Sequence, residues 1–172
     1  EACACLERAL ALHANLPDAA RDPRAELDIR MALGPVLMTV KGASNAQVEQ
    51  FLHETQGLLD RVGDARWRFA LLWAQWRVAY SSGRYDDALV RGRLLLDSVG
   101  EGDDSGERLE AHHTLWPTLF SMGRIEEALV HVDSGLALYD GERHAALMAY
   151  SGHDAGVCCN IHLALARWIG GY

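Results

Sequence analysis

The chain has 172 residues, 49% of them apolar and 23% charged, with a formal net charge of −8. That length buries about two thirds of the unfolded surface in one core, and the composition argues against disorder. The acidic balance, with Lys41 the one lysine, argues against nucleic-acid binding, and no apolar run is long enough to span a membrane.

Ala2 to Ala14 reads as a helix, with Leu6, Ala9, Leu10 and His13 on one face. Asn15 to Pro23 is a linker of turn formers. Arg24 to Val40 is a second helix, which Gly34-Pro35 is expected to kink. Ser44 or Asn45 is positioned to cap a third helix from Ala46 to Val62. An aromatic helix from Ala65 to Ser82 carries Trp67, Phe69, Trp73, Trp76 and Tyr80, and a helix from Tyr85 to Val99 follows. Glu101 to Gly106 is the clearest loop. Helices are then predicted over Glu107 to Met122 and Ile125 to Tyr139, around His144 to Tyr150, and over Ala155 to Ile169. Asp154 is expected to cap the last of these.

Residues 76–96 align with 116–136 at a fixed offset of forty, with eight identities that include Trp76/Trp116, Gly83/Gly123, Arg84/Arg124 and Ala88/Ala128. Self-similarity at that period predicts stacked helical hairpins. Gly83 and Gly123 stand where a helix must end, and the pairs Asp86-Asp87 and Glu126-Glu127 meet the positive end of the next helix. Ala88 and Ala128 then provide a close helix contact. Glu7 to Leu12 parallels Asp133 to Leu138, and Gly170-Gly171-Tyr172 reads as a turn cut short. The chain therefore reads as starting and ending inside a repeat, a single domain over 1–172 that is a fragment of a larger protein, with its clearest units at 65–99 and 107–140. It begins at Glu1 without a Met or a secretory leader, so the true N-terminus is expected elsewhere.

The turns GRYDDAL and GRIEEAL resemble the tetratricopeptide repeat, except that Trp76 and Trp116 stand where the family usually has a small residue. That resemblance implies an all-α, right-handed superhelix of antiparallel hairpins. The phrases ALGPVLMTVKG (Ala32–Gly42), RFALLWAQWR (Arg68–Arg77), LEAHHTLWPTLFSMG (Leu109–Gly123) and LYDGERHAALMAYSGHDAGVCC (Leu138–Cys159) look like the tetratricopeptide-containing region of large bacterial signalling proteins that join a class III adenylate or guanylate cyclase to a P-loop ATPase. The implied role is a regulatory or protein-interaction segment of a cytoplasmic protein. No catalytic residue carries over, because the chain has neither a phosphate-binding GxxxxGK[ST] loop nor paired metal-binding aspartates.

In such arrays the stacked surface is the functional part. On the first helix of each pair, Trp73, Arg77 and Tyr80 map by the offset onto His113, Pro117 and Phe120. Aromatics and arginine anchor partners, so Trp73, Arg77, Tyr80, His113 and Phe120 are the expected partner-binding residues, for a peptide, a neighbouring domain or a second copy of the chain. The rival expectation is a small-molecule or metal sensor, or an enzyme, with a pocket around His113, His144, Tyr150, His153 and Asp154.

No metal site and no cofactor is predicted. His112-His113 with Glu110, and His144 with His153-Asp154, are the clusters of ligand-type residues, but His112 and His113 are adjacent on a helix and point about a hundred degrees apart, which keeps them from sharing an ion. Cys3, Cys5, Cys158 and Cys159 follow neither a CxxC nor a disulfide-scaffold pattern, and reduced thiols are expected. No basic neighbour in the sequence lowers a thiol at Cys158-Cys159, so both are expected to be small residues buried in a helix interface. Ser151 is the one nucleophile near the His153-Asp154 pair, and a weak one.

Overall fold

Segments whose apolar residues recur at helical spacing fold as helices in the computed structural model, which describes residues 1–100, 106–144 and 152–171. All regular secondary structure among the described residues is helical. The chain divides into two compact units, Glu1–Ser82 and Gly83–Tyr172, so the boundary falls in the turn of the first sequence repeat.

The first unit contains α1 (Ala2–Ala14), α2 (Pro23–Lys41), α3 (Ala46–Val62) and α4 (Arg68–Ser81), with short 3₁₀ turns at Asp18–Ala20 and Ala65–Trp67. Its helix starts are fixed by side-chain caps. Asp22 Oδ1 accepts from the Arg24 amide at 2.9 Å with Pro23 in the first helical position, and Asn45 Oδ1 accepts from the Gln47 amide at 2.8 Å. Helix α2 continues through Gly34-Pro35 without a break. Leu27, Leu33 and Leu37 of α2 meet Val48, Leu52, Leu58 and Leu59 of α3 and Leu71, Ala74 and Val78 of α4, while Cys3, Leu6 and Leu10 of α1 pack on the outside. Each fully buried leucine contributes about 2 kcal/mol of transfer free energy.

The expected aromatic helix is shorter than its sequence pattern. Asp64 accepts from the Arg66 amide at 3.1 Å and also holds the Arg66 guanidinium, which tightens residues 65–67 into a 3₁₀ turn before α4 begins. Trp67 leaves the helix face and donates Nε1–H to Asp28 at 2.8 Å.

The second unit contains α5 (Tyr85–Ser98), α6 (Gly106–Ser121), α7 (Ile125–Leu138) and α8 (Ala155–Ile169). Helix α6 is central, packed against α5, α7 and α8, and every residue from Leu109 to Leu119 is buried. A helix covered on all sides must satisfy its polar groups locally. Thr114 and Thr118 do so by donating to the Ala111 and Thr114 carbonyls at 2.7 and 2.6 Å.

The two turns that match in sequence also match in backbone. Gly83 and Gly123 have φ of +73° and +75°, and the residues after them, Arg84 and Arg124, have φ, ψ of −85°, 68° and −87°, 62°. Only glycine takes that φ without strain. Beyond the turns, Ala88 and Ala128 are both buried, as a close helix contact requires.

The bulky Trp116, which departs from the tetratricopeptide pattern, is fully buried, and α7 yields to it. A Cβ built on Gly135 would stand 2.5 Å from Trp116 Cζ3. The small residue at this contact is on α7, the second helix of the hairpin, and the bulky one is on α6.

Candidate functional site

The expected partner face is only partly at the surface. In the first unit Trp73 is 3% exposed and lies against Trp76, with ring centroids 5.6 Å apart. Tyr80 stacks on Trp76 at 5.5 Å and 20°, and Arg77 and Tyr80 are half-buried. In the second unit His113 and Pro117 belong to the buried run of α6, whereas Phe120 is half-buried with its ring edge-on to His162 at 5.5 Å. Arg77, Tyr80 and Phe120 are thus the members of the set that reach solvent. Each sits toward its helix C-terminus, away from the covered middle.

A different group converges inside the second unit. Glu110 and His113 are one turn apart on α6, and His113 Nδ1 lies 2.9 Å from Glu110 Oε2, with both side chains almost wholly buried. This contact leaves His113 Nε2 directed away from α6. There it meets His153 Nε2 at 2.9 Å and Cys158 Sγ at 3.5 Å. His153 comes from the turn before α8, and Cys158 from the first full turn of α8. Asp154 fixes that turn. Its Oδ1 accepts from the Val157 amide at 2.9 Å, capping α8 as the sequence predicts, and its Oδ2 accepts from the Tyr139 hydroxyl at 2.8 Å. Gly156 is obligatory here, because a Cβ would lie 2.5 Å from the Tyr139 ring.

The expectation for Cys158 is corrected by this arrangement. Cys159 is buried as predicted, donates its thiol to the Val132 carbonyl at 3.2 Å, and has its pKa pushed up to about 11 by burial and by the nearby charges of Cys158 and Asp133. Cys158 is only half-buried and has basic neighbours in space: besides His113 and His153, His162 Nδ1 stands 3.6 Å from its sulfur. Burial disfavours a thiolate at Cys158, yet hydrogen bonds from His113, His153 and His162 outweigh it and hold the thiol well below its usual range. Burial likewise disfavours charge on His113, but the hydrogen bonds to Cys158 and Glu110 raise it above the usual histidine range. The cluster favours a thiolate beside an imidazolium.

The other histidines have separate partners. His112 turns to α7 and meets His131, Nδ1 to Nδ1, at 3.0 Å, so the adjacent pair diverges as its helical geometry predicts. His144 is used locally. Its Nδ1 accepts from the Asp140 amide at 3.1 Å, and its ring stands beside Tyr139. Of the expected pocket, His113 and His153 come together. Tyr150 and Ser151 lie outside the described residues.

Sequence reasoning grouped Glu110 with His112-His113 and weighed Cys158 beside Cys159, but it joined neither to His153 and passed over His162. Glu110 three residues before His113, and His162 four residues after Cys158, are helical neighbours whose spacing is a usable signal. Cys158 is 45 residues from His113, and no local pattern links them.

No family model and no solved structure matches the chain. An uncharacterized protein of Rhizobium meliloti (strain 1021) is 28% identical over 175 residues, an alignment covering 99% of this chain and 17% of that protein. The chain therefore spans about a sixth of the length of the curated relative it matches.

Proposed function

We propose that this chain is a non-catalytic, tetratricopeptide-like interaction segment, stacked as a right-handed superhelix, that regulates a larger cytoplasmic signalling protein of the nucleotide cyclase and ATPase type. The observation that carries this reading is the turn repeated at an offset of forty residues in both sequence and backbone, with φ of +73° and +75° at its two glycines. A chain that preserves turn geometry at that period is organised as an array, and arrays work through their stacked surfaces.

Two further features support it. Helix α8 carries Val157, Ile161, Leu165 and Trp168 along one exposed face, with Trp168 75% exposed. In a repeat array such a stripe is covered by the next helical unit or by a neighbouring domain. In addition, a net charge of −8 suits protein partners better than nucleic acid. The partner is then a peptide or a domain of the same polypeptide, recognised by apolar and aromatic contacts on α8 and beside Arg77, Tyr80 and Phe120.

Calorimetric titration of the 172-residue chain with the domains that flank it in its parent polypeptide tests this reading. The expected result is saturable association that weakens about tenfold or more in an Ile161→Glu, Trp168→Glu double variant or an Arg77→Glu, Tyr80→Ala one, with the thermal midpoint little changed. Association that neither variant alters, or catalytic turnover by the chain alone, would overturn it.

A further inference from the structure

We propose that His113, His153 and Cys158 form a zinc-binding site in the second unit, with Glu110 as the positioning residue behind His113. This goes beyond the interaction reading and does not depend on it. One ligand atom from each of His113, His153 and Cys158 lies within 4.8 Å of the other two. Around a tetrahedral zinc ion, ordinary bond lengths place two imidazole nitrogens about 3.3 Å apart and a nitrogen and a sulfur about 3.6 Å apart. The corresponding separations here are 2.9 Å and 3.5 Å, so a shift of a few tenths of an ångström opens the space an ion needs.

The orientation of His113 is that of a ligand. Glu110 Oε2, 2.9 Å from Nδ1, holds a proton on Nδ1, so that an ion displacing the Nε2 proton meets a lone pair beside His153 and Cys158. Metal-bound histidines usually make such a contact to a carboxylate, which fixes the ring and raises its basicity. Both groups are buried, with side-chain exposures of 3% and 1%, so the ring has little freedom to turn elsewhere. The two nitrogens and the sulfur then lie close enough together to share one cation. A cation held by the two nitrogens and the sulfur would replace the protons these atoms otherwise share.

The donor set selects the ion. Two imidazoles and a thiolate suit zinc and exclude the hard, oxygen-seeking calcium and magnesium ions. His162 Nδ1 is engaged at the Cys158 carbonyl, 2.9 Å away, and is not part of the group whose ligand atoms all lie within 4.8 Å of one another. Among the described residues the site has three ligands, which leaves a fourth position for water. Because His113 is on α6, His153 in the turn before α8 and Cys158 in the first turn of α8, a bound ion would clamp the start of α8 to the central helix.

A cysteine, a histidine and a carboxylate in line also describe an activated thiol nucleophile. The second imidazole favours the metal: a catalytic base needs no His153 nitrogen 2.9 Å from the nitrogen that serves the thiol.

Cobalt and zinc titrations of the tag-free, chelator-treated 172-residue chain provide the test. One cobalt ion per chain should give the visible bands of a tetrahedral site and a thiolate-to-cobalt charge-transfer band, with zinc displacing it and raising the thermal midpoint. Cys158→Ser should abolish the charge-transfer band while Cys159→Ser keeps it. His153→Gln should weaken zinc binding by about a hundredfold. These two ligand positions are half-buried, so the variants are expected to fold, and circular dichroism checks that they do. Absence of the charge-transfer band, its persistence in Cys158→Ser, or rapid alkylation of Cys158 that zinc does not slow would each overturn the site.

Discussion

Gly135 lacks a side chain because Trp116 occupies the space where one would be. An added Cβ would meet Trp116 Cζ3 at 2.5 Å and Cys159 Sγ at 3.4 Å, and the indole, fully buried, has nowhere to retreat. Gly135→Ala is therefore expected to cost about 1–3 kcal/mol in urea denaturation, the usual cost of overpacking a filled core. A fall of less than a few tenths would mean the ring can move. At His112 the relevant quantity is charge. Burial, then the charges of His131 and Arg108, push its pKa down to about 4 from an ordinary value of about 6.5. His131 is lowered too, by burial and Arg93 against the opposing pull of Glu127. A depressed histidine pKa means that between those two pH values the unfolded chain binds a proton that the fold refuses. Stability from this pair is present above pH 6.5 and is lost as pH falls toward 4. Solvent at the half-buried His131 screens the effect to on the order of 1 kcal/mol. His113 is shifted the other way, so the comparison that isolates the pair is wild type against His112→Asn. The urea midpoint of the wild type should fall more between pH 7 and pH 5 than that of the variant, and an equal fall would refute the assignment.

Helix termini carry the clearest predictions at the scale of elements. The matching dihedrals at Gly83 and Gly123 mean that alanine at either position meets the same strain, and each substitution should lower stability by about 1 kcal/mol. A neutral result at one of them would separate the two turns. Asp154→Ala removes both the α8 cap and the Tyr139 hydrogen bond, and should cost about 1–2 kcal/mol. Asn45→Ala removes a cap alone and should cost about 1 kcal/mol. Hydrogen exchange reads the difference: the first turn of α8 should open faster in Asp154→Ala, while α3 is unchanged. These termini were legible from residue type. Asp154, Asn45 and the two glycines are each a residue whose local chemistry ends or starts a helix, whatever lies beyond. The helix expected over Ala65 to Ser82 fared differently at its start, because Asp64 draws the backbone into a tight turn that hydrophobic periodicity does not register.

For the molecule as a whole, the charge balance makes a testable exclusion. With a net charge of −8, the chain should leave the fluorescence anisotropy of a labelled DNA duplex unchanged even at low salt. Binding that weakens steeply with added salt would refute that. The two compact units differ in how they use burial. The first unites leucines of α2, α3 and α4 in one apolar core. The second buries α6 from Leu109 to Leu119 and so brings Glu110, His112 and His113 indoors, where each must find a partner.

Among the described residues, helical class, the order of the helices and the repeated turn were readable from residue order, because apolar spacing, caps and glycine act within a few positions of one another; the helix expected around His144 to Tyr150 lies largely outside them. The expected aromatic face was readable only as a stripe. Which of its members reach solvent depended on neighbours: Trp73 and His113 are covered, and Arg77, Tyr80 and Phe120 are half-open. The convergence of His113 with His153 and Cys158, 40 and 45 residues away, was decided by the packing of α8 against α6. The physical reason is range: hydrogen bonding and backbone preference are local and leave a trace in neighbouring letters, whereas the meeting of distant side chains depends on how whole helices exclude water together.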